Sequence, residues 1–527
     1  MKKLNFLASL AEHGQVSRRD FITQASALGI SALAANALYS TAARAATPNK
    51  GGNFKIGSAQ GQSSDSLDPT LSASLVPYLN LNTFGERLVN VDENGEIEYR
   101  LAESVESSEG GKKWHFKIRK GVEFHNGKSL TPQDVLRTME RHAGEGSKSG
   151  ALGVLRDIDT MSVNGDTFTI ELKTPNADMP YLMTTYHLVI QPDGGFDDPT
   201  AGIGTNAYML EVNEPGVRHV YTKNPNYWDD SRGHFDSVEI LPINDATARN
   251  AALQSGQVHA INRVDPKVAD LLGRANTIEV KSVEGPGHYV FVMHCDTPPF
   301  DNYDLRMALK LAVNREEMVD KILRGYGSIG NDMPINSSYP LYDDTIPQRR
   351  FDPEKAAEHY KKSGHDGTPI TLRVSDAAFP GAIEAAQLFQ QSAQQAGIPI
   401  EIKREPADGY WSDVWNKQPF SASYWTGRPV QDQMYSIAYL SSADWNDTRF
   451  KNEKFDQLLL RARAELDPAK RTEMYGDMAR IVHDEGGLIA PMFNNFIEAI
   501  STELEGWRND PNGTIMGGRG MHMMWFV

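Results

Sequence analysis

The sequence predicts a soluble mixed α/β protein built from more than one domain, and three observations carry that expectation. At 527 residues the chain is several times the usual domain length, and single hydrophobic cores stop growing well short of that size. A composition of 40% hydrophobic and 23% charged residues is that of ordinary globular proteins, not of a disordered chain or a multi-spanning membrane protein. Strand-like alternation and helix-like periodicity follow one another along the chain, with a strand, helix, strand order over residues 370–402 that reads as a βαβ unit.

The elements can be taken in order. After a Pro/Gly-rich stretch over 47–52, residues 54–58 alternate as a first strand, broken by Leu67-Asp68-Pro69. Residues 114–119 and 167–172 alternate apolar with polar and read as half-buried strands. Between them, Thr131-Pro132 starts a helix, with threonine as cap and proline at the first helical position. Residues 238–242 form a strand leading into a helix over 245–253, and 288–293 are nearly all apolar, as expected of a strand covered on both faces. An amphipathic helix follows over 303–313, then the unit at 370–374, 382–396 and 398–402. The sequence contains no internal repeat, coiled coil or low-complexity tract.

The N-terminus reads as an address. Ser17-Arg18-Arg19-Asp20-Phe21-Ile22, a mildly apolar run over 25–35 and Ala43-Arg44-Ala45 place a basic region, an apolar stretch and a small-x-small cleavage site in that order. The paired arginines and their flanks resemble a twin-arginine signal, so residues 1–45 are expected to be removed after Ala45 and the remainder to be periplasmic. No cysteine follows the run to take a lipid anchor. Net charge is −16 overall and −19 beyond residue 45, which disfavours nucleic acid and anionic lipid as partners. One cysteine, Cys295, excludes an intramolecular disulfide and a cysteine-built zinc site, and is expected to be a buried small apolar residue.

At Pro298-Pro299-Phe300-Asp301, followed by Arg306, Ala308, Leu309, Ala312 and Arg315 on one helix, the chain resembles the extracellular solute-binding proteins of family 5, the peptide, nickel and opine receptors of ABC importers. Leu67-Asp68-Pro69, Phe124 to Val135, Asn224-Pro225-Asn226-Tyr227-Trp228 and Ala252 to Val258 resemble that family's other elements in the same order. The resemblance implies two lobes closing on a ligand, with an extra subdomain inserted in the first. On that basis residues 46–90, 207–290 and 496–527 are expected to form lobe 1, 91–206 its inserted subdomain, and 291–495 lobe 2. It also implies a monomer that hands a small-molecule ligand to an inner-membrane ABC permease, with no catalysis and no cofactor. Arg306, Arg315 and Trp228 are expected to be scaffold.

The expected ligand-binding residues are Arg428, Trp425, Tyr424, Asp432 and Trp411, with Trp415 as a further wall, and Ser74, Asn206 and His294. In peptide-binding relatives the residue after Trp-x-Gly is an aspartate that pairs with the peptide's amino group; here Trp425-Thr426-Gly427 is followed by Arg428. A guanidinium offers a planar fork of donors suited to carboxylate. That implies either an acid-bearing ligand such as an opine or modified peptide, or a brace in which Arg428 pairs with Asp432 or Glu405. The rival classes are a periplasmic hydrolase and a nickel or metal-chelate receptor. The sequence holds no Gly-x-Ser-x-Gly, His-Glu-x-x-His or phosphate loop and no closely spaced histidines for a metal, and the Met/His tail over 520–524 suits nickel poorly.

Overall fold

The computed structural model describes residues 21–23, 25, 35, 48–72, 74–375, 377–406, 410–443 and 445–527. Nearly all of the expected signal segment, including its cleavage site, lies outside them. Two large sheets and one small sheet organise the rest. The first runs in the order Ile278–Val283, Phe496–Ser501, Ala260–Ile261, Asn53–Ser58, Ser237–Pro242, Arg218–Lys223 and Tyr208–Glu214. Asn53–Ser58 is parallel to both its neighbours, and Phe54, Ile56, Val238 and Ile240 are fully buried on it. The second sheet runs Gly327–Ile329, Leu488–Asn494, His288–Met293, Phe420–Trp425, Ile370–Val374 and Ile400–Arg404. The small sheet, Ala102–Ser108, Lys113–Ile118, Thr167–Leu172 and Ile158–Asn164, is antiparallel throughout and has its own core of Phe116, Phe168, Ile170 and Val135.

Local chemistry explains the helices that flank these sheets. Thr131 caps Pro132–Ala143 in a reciprocal capping box with Asp134, the arrangement that satisfies two orphan N–H groups at once. Asp245 caps Ala246–Gln254 and Asn302 caps Tyr303–Leu311. Ile370–Val374 and Ile400–Arg404 pair in parallel across the helix Ala382–Gln394. His288–Met293 is covered on both faces: Phe291 and Met293 face one core and Val290 and Val292 the other. That strand belongs to the second sheet, and residues 284–287 link it to Ile278–Val283 of the first. The return crossover is Asn495, between Leu488–Asn494 and Phe496–Ser501.

Residues expected as scaffold have interior partners. Arg306 donates to the Phe300 and Glu485 carbonyls, each at 2.8 Å. Arg315 grips both oxygens of buried Asp332 at 2.6 and 2.7 Å. Trp228 donates its indole N–H to Glu86 at 2.9 Å, with the Arg100 and Arg119 guanidiniums against its ring. Cys295 is half-buried against the core around Val292. The C-terminal Met521, His522 and Met524 are packed inside lobe 1, and Trp525–Phe526 pairs with Leu504–Glu505.

The subdomain and lobe 2 are clasped directly. Arg471 reaches Asp178 at 2.5 Å and the Tyr475 hydroxyl donates to the same carboxylate at 3.2 Å. Arg463 approaches Asp157 at 3.4 Å while its carbonyl accepts the Ala177 N–H at 2.7 Å. Buried charge pairs lose much when one partner is removed, because the other is left uncompensated. Asp178→Ala should therefore shift the ligand-free protein toward a more open form, seen as a larger radius of gyration in small-angle scattering; no change would mean the clasp does not hold the lobes.

Near the C-terminus, Ile515 and Met516 have φ of 49° and 58°, a left-handed turn that costs about 1–2 kcal/mol per non-glycine residue. Buried Glu498 holds it, accepting the Ile515 N–H at 2.6 Å and the Thr514 hydroxyl. Burial pushes the Glu498 carboxyl up to about 7. Between its unfolded value of 4.5 and that value, the native chain keeps a proton that the unfolded chain has released, so stability falls as pH rises through this window. Glu498→Gln should flatten that share of the dependence, measured by thermal unfolding at about pH 5 and about pH 8.

Candidate functional site

The lobe 2 wall of the cleft is the end of the strand Phe420–Trp425, which pairs with His288–Met293 in the register His288↔Trp425 and Tyr289↔Tyr424. Beyond it the chain turns through Gly427 at φ 79°, where a Cβ would stand 2.3 Å from Pro286. Only glycine fits a left-handed position pressed against another chain. That close approach fixes Arg428 beside the crossover between lobes.

Arg428 donates its backbone N–H to the Tyr339 hydroxyl at 3.0 Å, and Nη1 to the Gly427 carbonyl at 2.5 Å and Thr426 Oγ1 at 3.3 Å. Its guanidinium carbon lies 5.9 Å from the Trp425 ring centroid. Among the described residues no carboxylate lies within ion-pair distance of it. The two acids offered as a brace are engaged elsewhere: Asp432 holds Arg463 at 2.7 Å and Glu405 holds Arg373. Burial lowers the Arg428 pKa, partly opposed by the Tyr339, Tyr186 and Tyr424 hydroxyls.

Tyr186 belongs to the inserted subdomain, and its hydroxyl and the Arg428 guanidinium are near enough to act on each other electrostatically. There Tyr186 stacks on His187 with centroids 3.9 Å apart and meets Tyr78 edge-on at 5.1 Å. The Tyr186 hydroxyl and His187 Nε2 both donate to the Ser72 carbonyl, at 3.3 and 2.9 Å. Burial pulls His187 down to about 4, and the charges of Arg428 and Arg87 act in the same sense. The imidazole is thus neutral, and this wall is aromatic and uncharged. Tyr78, Tyr186, His187 and Tyr339 were missed in the sequence, where they carry no motif; the only signal was two adjacent rings at 186–187 in a stretch without periodicity.

The remaining expected residues are scattered. Trp425 is 5% exposed, and Tyr424, its neighbour along the strand, points to the other face of the sheet beside Tyr289. Asp432 is buried, its carboxyl pushed up by burial against the pull of Arg463, and belongs to the clasp. Asn206 spends its carboxamide inside lobe 1, donating to the Asn82 and Gly85 carbonyls at 2.8 and 3.1 Å and accepting the Ala207 N–H at 2.8 Å. Ser74 stands at the N-cap position of the helix Leu75–Phe84 without a side-chain capping bond, and its hydroxyl donates to Asp65 at 3.2 Å. His294 follows the far end of His288–Met293, six residues from the Trp425 pairing, or about 20 Å at strand rise; burial first, then Arg449, lowers it to about 4. The side chain of Trp411 lies outside the described residues. Among the described residues no group of three or more His, Cys, Asp or Glu is placed to hold a metal ion, and no helix is long and apolar enough to cross a membrane.

Comparison with known proteins agrees with this architecture. The chain is 24% identical over 473 residues to the glutathione-binding protein GsiB of Shigella flexneri serotype 5b, covering 85% of this chain and 91% of that one. Its fold superposes on the oligopeptide-binding protein AppA of Bacillus subtilis, solved with a nonapeptide, at a TM-score of 0.76 and 20% identity over 91% of this chain and all of the other. It superposes on AgaA of A. tumefaciens R10, solved with agropinic acid, at 0.77 and 22% over 90% and 99%. The family described as bacterial extracellular solute-binding proteins, family 5 Middle, matches residues 96–447. With two lobes, an inserted subdomain and that match across most of its length, the chain belongs to the family 5 extracellular solute-binding proteins, substrate receptors of ABC importers and not enzymes.

Proposed function

We propose that this receptor works in the periplasm, reached through its twin-arginine signal, and captures a small acid-bearing molecule whose carboxylate is held by Arg428. The observation behind this reading is a guanidinium near Tyr186 of the inserted subdomain with no carboxylate in ion-pair reach among the described residues. A half-buried charge without a counter-ion is costly, and an anionic ligand supplies one. The charge lies beside Trp425 and opposite an uncharged wall of Tyr78, Tyr186 and neutral His187, which can cover a ligand's apolar surface while the guanidinium fixes its orientation. A free peptide amino terminus placed at the same point would meet a like charge. AgaA carries an acid, agropinic acid, which fits the same class. On closing, the ligand's carboxylate joins the lobes through Arg428, and the closed form is what the permease receives.

Mass spectrometry of the compound that co-purifies should identify an acid. Arg428→Ala should weaken its binding in calorimetry by about 10- to 150-fold, the range of a charge-assisted hydrogen bond of about 1.5–3 kcal/mol. Arg428→Lys should recover only part, since the bidentate fork is lost. Unchanged affinity in Arg428→Ala would overturn the assignment.

A further inference from the structure

Three tryptophans of lobe 2 meet around one buried carboxylate. The Trp415 and Trp445 ring centroids are 6.0 Å apart at 84°, and those of Trp425 and Trp445 are 6.2 Å apart at 52°. Asp447, wholly excluded from solvent, accepts the Trp415 indole N–H at 3.0 Å through Oδ2. The Trp425 indole lies close enough to favour the ionised acid. Its N–H is nevertheless not aligned on Oδ1 as a hydrogen bond, and neither atom has another protein partner.

The surroundings are unusually polar for an interior. Ser421 and Ser423, on the same strand face as Trp425, and Tyr439 also have buried hydroxyls with no partner. Buried polar atoms are almost always paired, and each exception calls for an explanation. Among the described residues no cation pairs with Asp447, and burial pushes its carboxyl up to about 7.

Trp415 turns its N–H edge, not its face, to the acid, so what the cluster offers an organic cation is the carboxylate's charge, with a ring face beside it able to add to the attraction. Trp445, 52% exposed, is the outermost of the three and the side chain an entering group would displace. Trp425 is shared, since the Arg428 guanidinium lies 5.9 Å from the same ring.

We propose that Asp447 with Trp415, Trp425 and Trp445 forms a subsite for an ammonium group of the ligand whose acid Arg428 holds, so that the preferred ligand is a zwitterion spanning Trp425. This rests on the reading of Arg428 given above. It assigns Asp447 the task of choosing between acids: those that carry an amine at the right separation gain an ion pair, while those without one leave the buried acid without a cationic partner.

The test uses the full mature chain and a panel of α- and ω-amino acids, each titrated beside its deaminated acid and its decarboxylated amine, with calorimetry and tryptophan emission as readouts. At least one amino acid should bind about tenfold or more tightly than its deaminated acid, a difference of about 1.4 kcal/mol, and should shift the emission. Asp447→Asn, nearly isosteric, should erase that preference and leave the deaminated acid's affinity unchanged. Trp445→Ala, which removes a largely exposed ring, should reduce the preference without lowering Tm. Arg428→Ala should weaken both members of each pair. If only that last result fails, the acid-anchor reading falls and the ammonium subsite stands. Equal binding of amino acid and deaminated acid throughout the panel, or a preference that survives Asp447→Asn, would overturn the subsite.

Discussion

The molecule depends on one antiparallel ribbon that runs from one lobe into the other. Ile278–Val283 pairs with Phe496–Ser501 in the first sheet, and the same two stretches of chain continue as His288–Met293 and Leu488–Asn494, paired in the second. The two crossovers therefore lie side by side. They are tied by the Asn494 N–H on the Gly287 carbonyl at 3.0 Å and the Asn495 carboxamide on Ser282 at 2.9 Å. Gly285 packs against the Phe496 ring so closely that a Cβ would stand 2.6 Å away. Side by side and hydrogen-bonded to each other, the two crossings form one paired hinge segment between the lobes.

The candidate site is pinned to this hinge. Gly427 presses on Pro286, a residue of the first crossover, and Arg428 follows directly. Arg428 thus sits beside the crossings, whereas the clasp of Arg471 and Arg463 on Asp178 and Asp157 joins the subdomain to lobe 2 directly. On the proposed reading of Arg428, its ligand favours the same closed arrangement as the clasp. The protein carries a net charge of −16, whose long-range field repels anions, so the pull of Arg428 on a carboxylate acts at short range.

Several interior arginines meet carboxylates, whereas Arg87, Arg249 and Arg306 are held by carboxamide or backbone oxygens alone. Arg315 and Arg349 share Asp332, Arg100 meets Glu86 and Asp229, and Arg519 holds Asp510. These networks fix where helices and strands sit, because each charge would be costly alone. Where the same chemistry lacks its partner, at Arg428 and at Asp447, the missing partner is the natural place to look for a ligand.

Much of the scaffold was legible in the sequence. Strand alternation at 167–172, the Thr131-Pro132 helix start and the unit over 370–402 are local signals, and their capping and side-chain periodicity act over a few residues whatever the rest of the chain does. The Gly427-Arg428 pair was also legible, since a motif position carried an unexpected charge. Asn206, Asp432 and His294 were polar residues in suggestive places, yet whether a polar side chain faces a ligand or braces its own fold depends on partners far away in sequence: Asn82 for the first, Arg463 for the second, and the strand end for the third. Tyr186 and His187 gave only their adjacency and Asp447 no local sign, because their surroundings arise only when the 186–187 segment comes near Arg428 and Trp415, Trp425 and Trp445 converge from a strand end and two turns. The sequence by itself determined the elements and the odd charge. Tertiary structure alone decided which charges are paired, because pairing is a matter of distance between segments that the chain brings together only on folding.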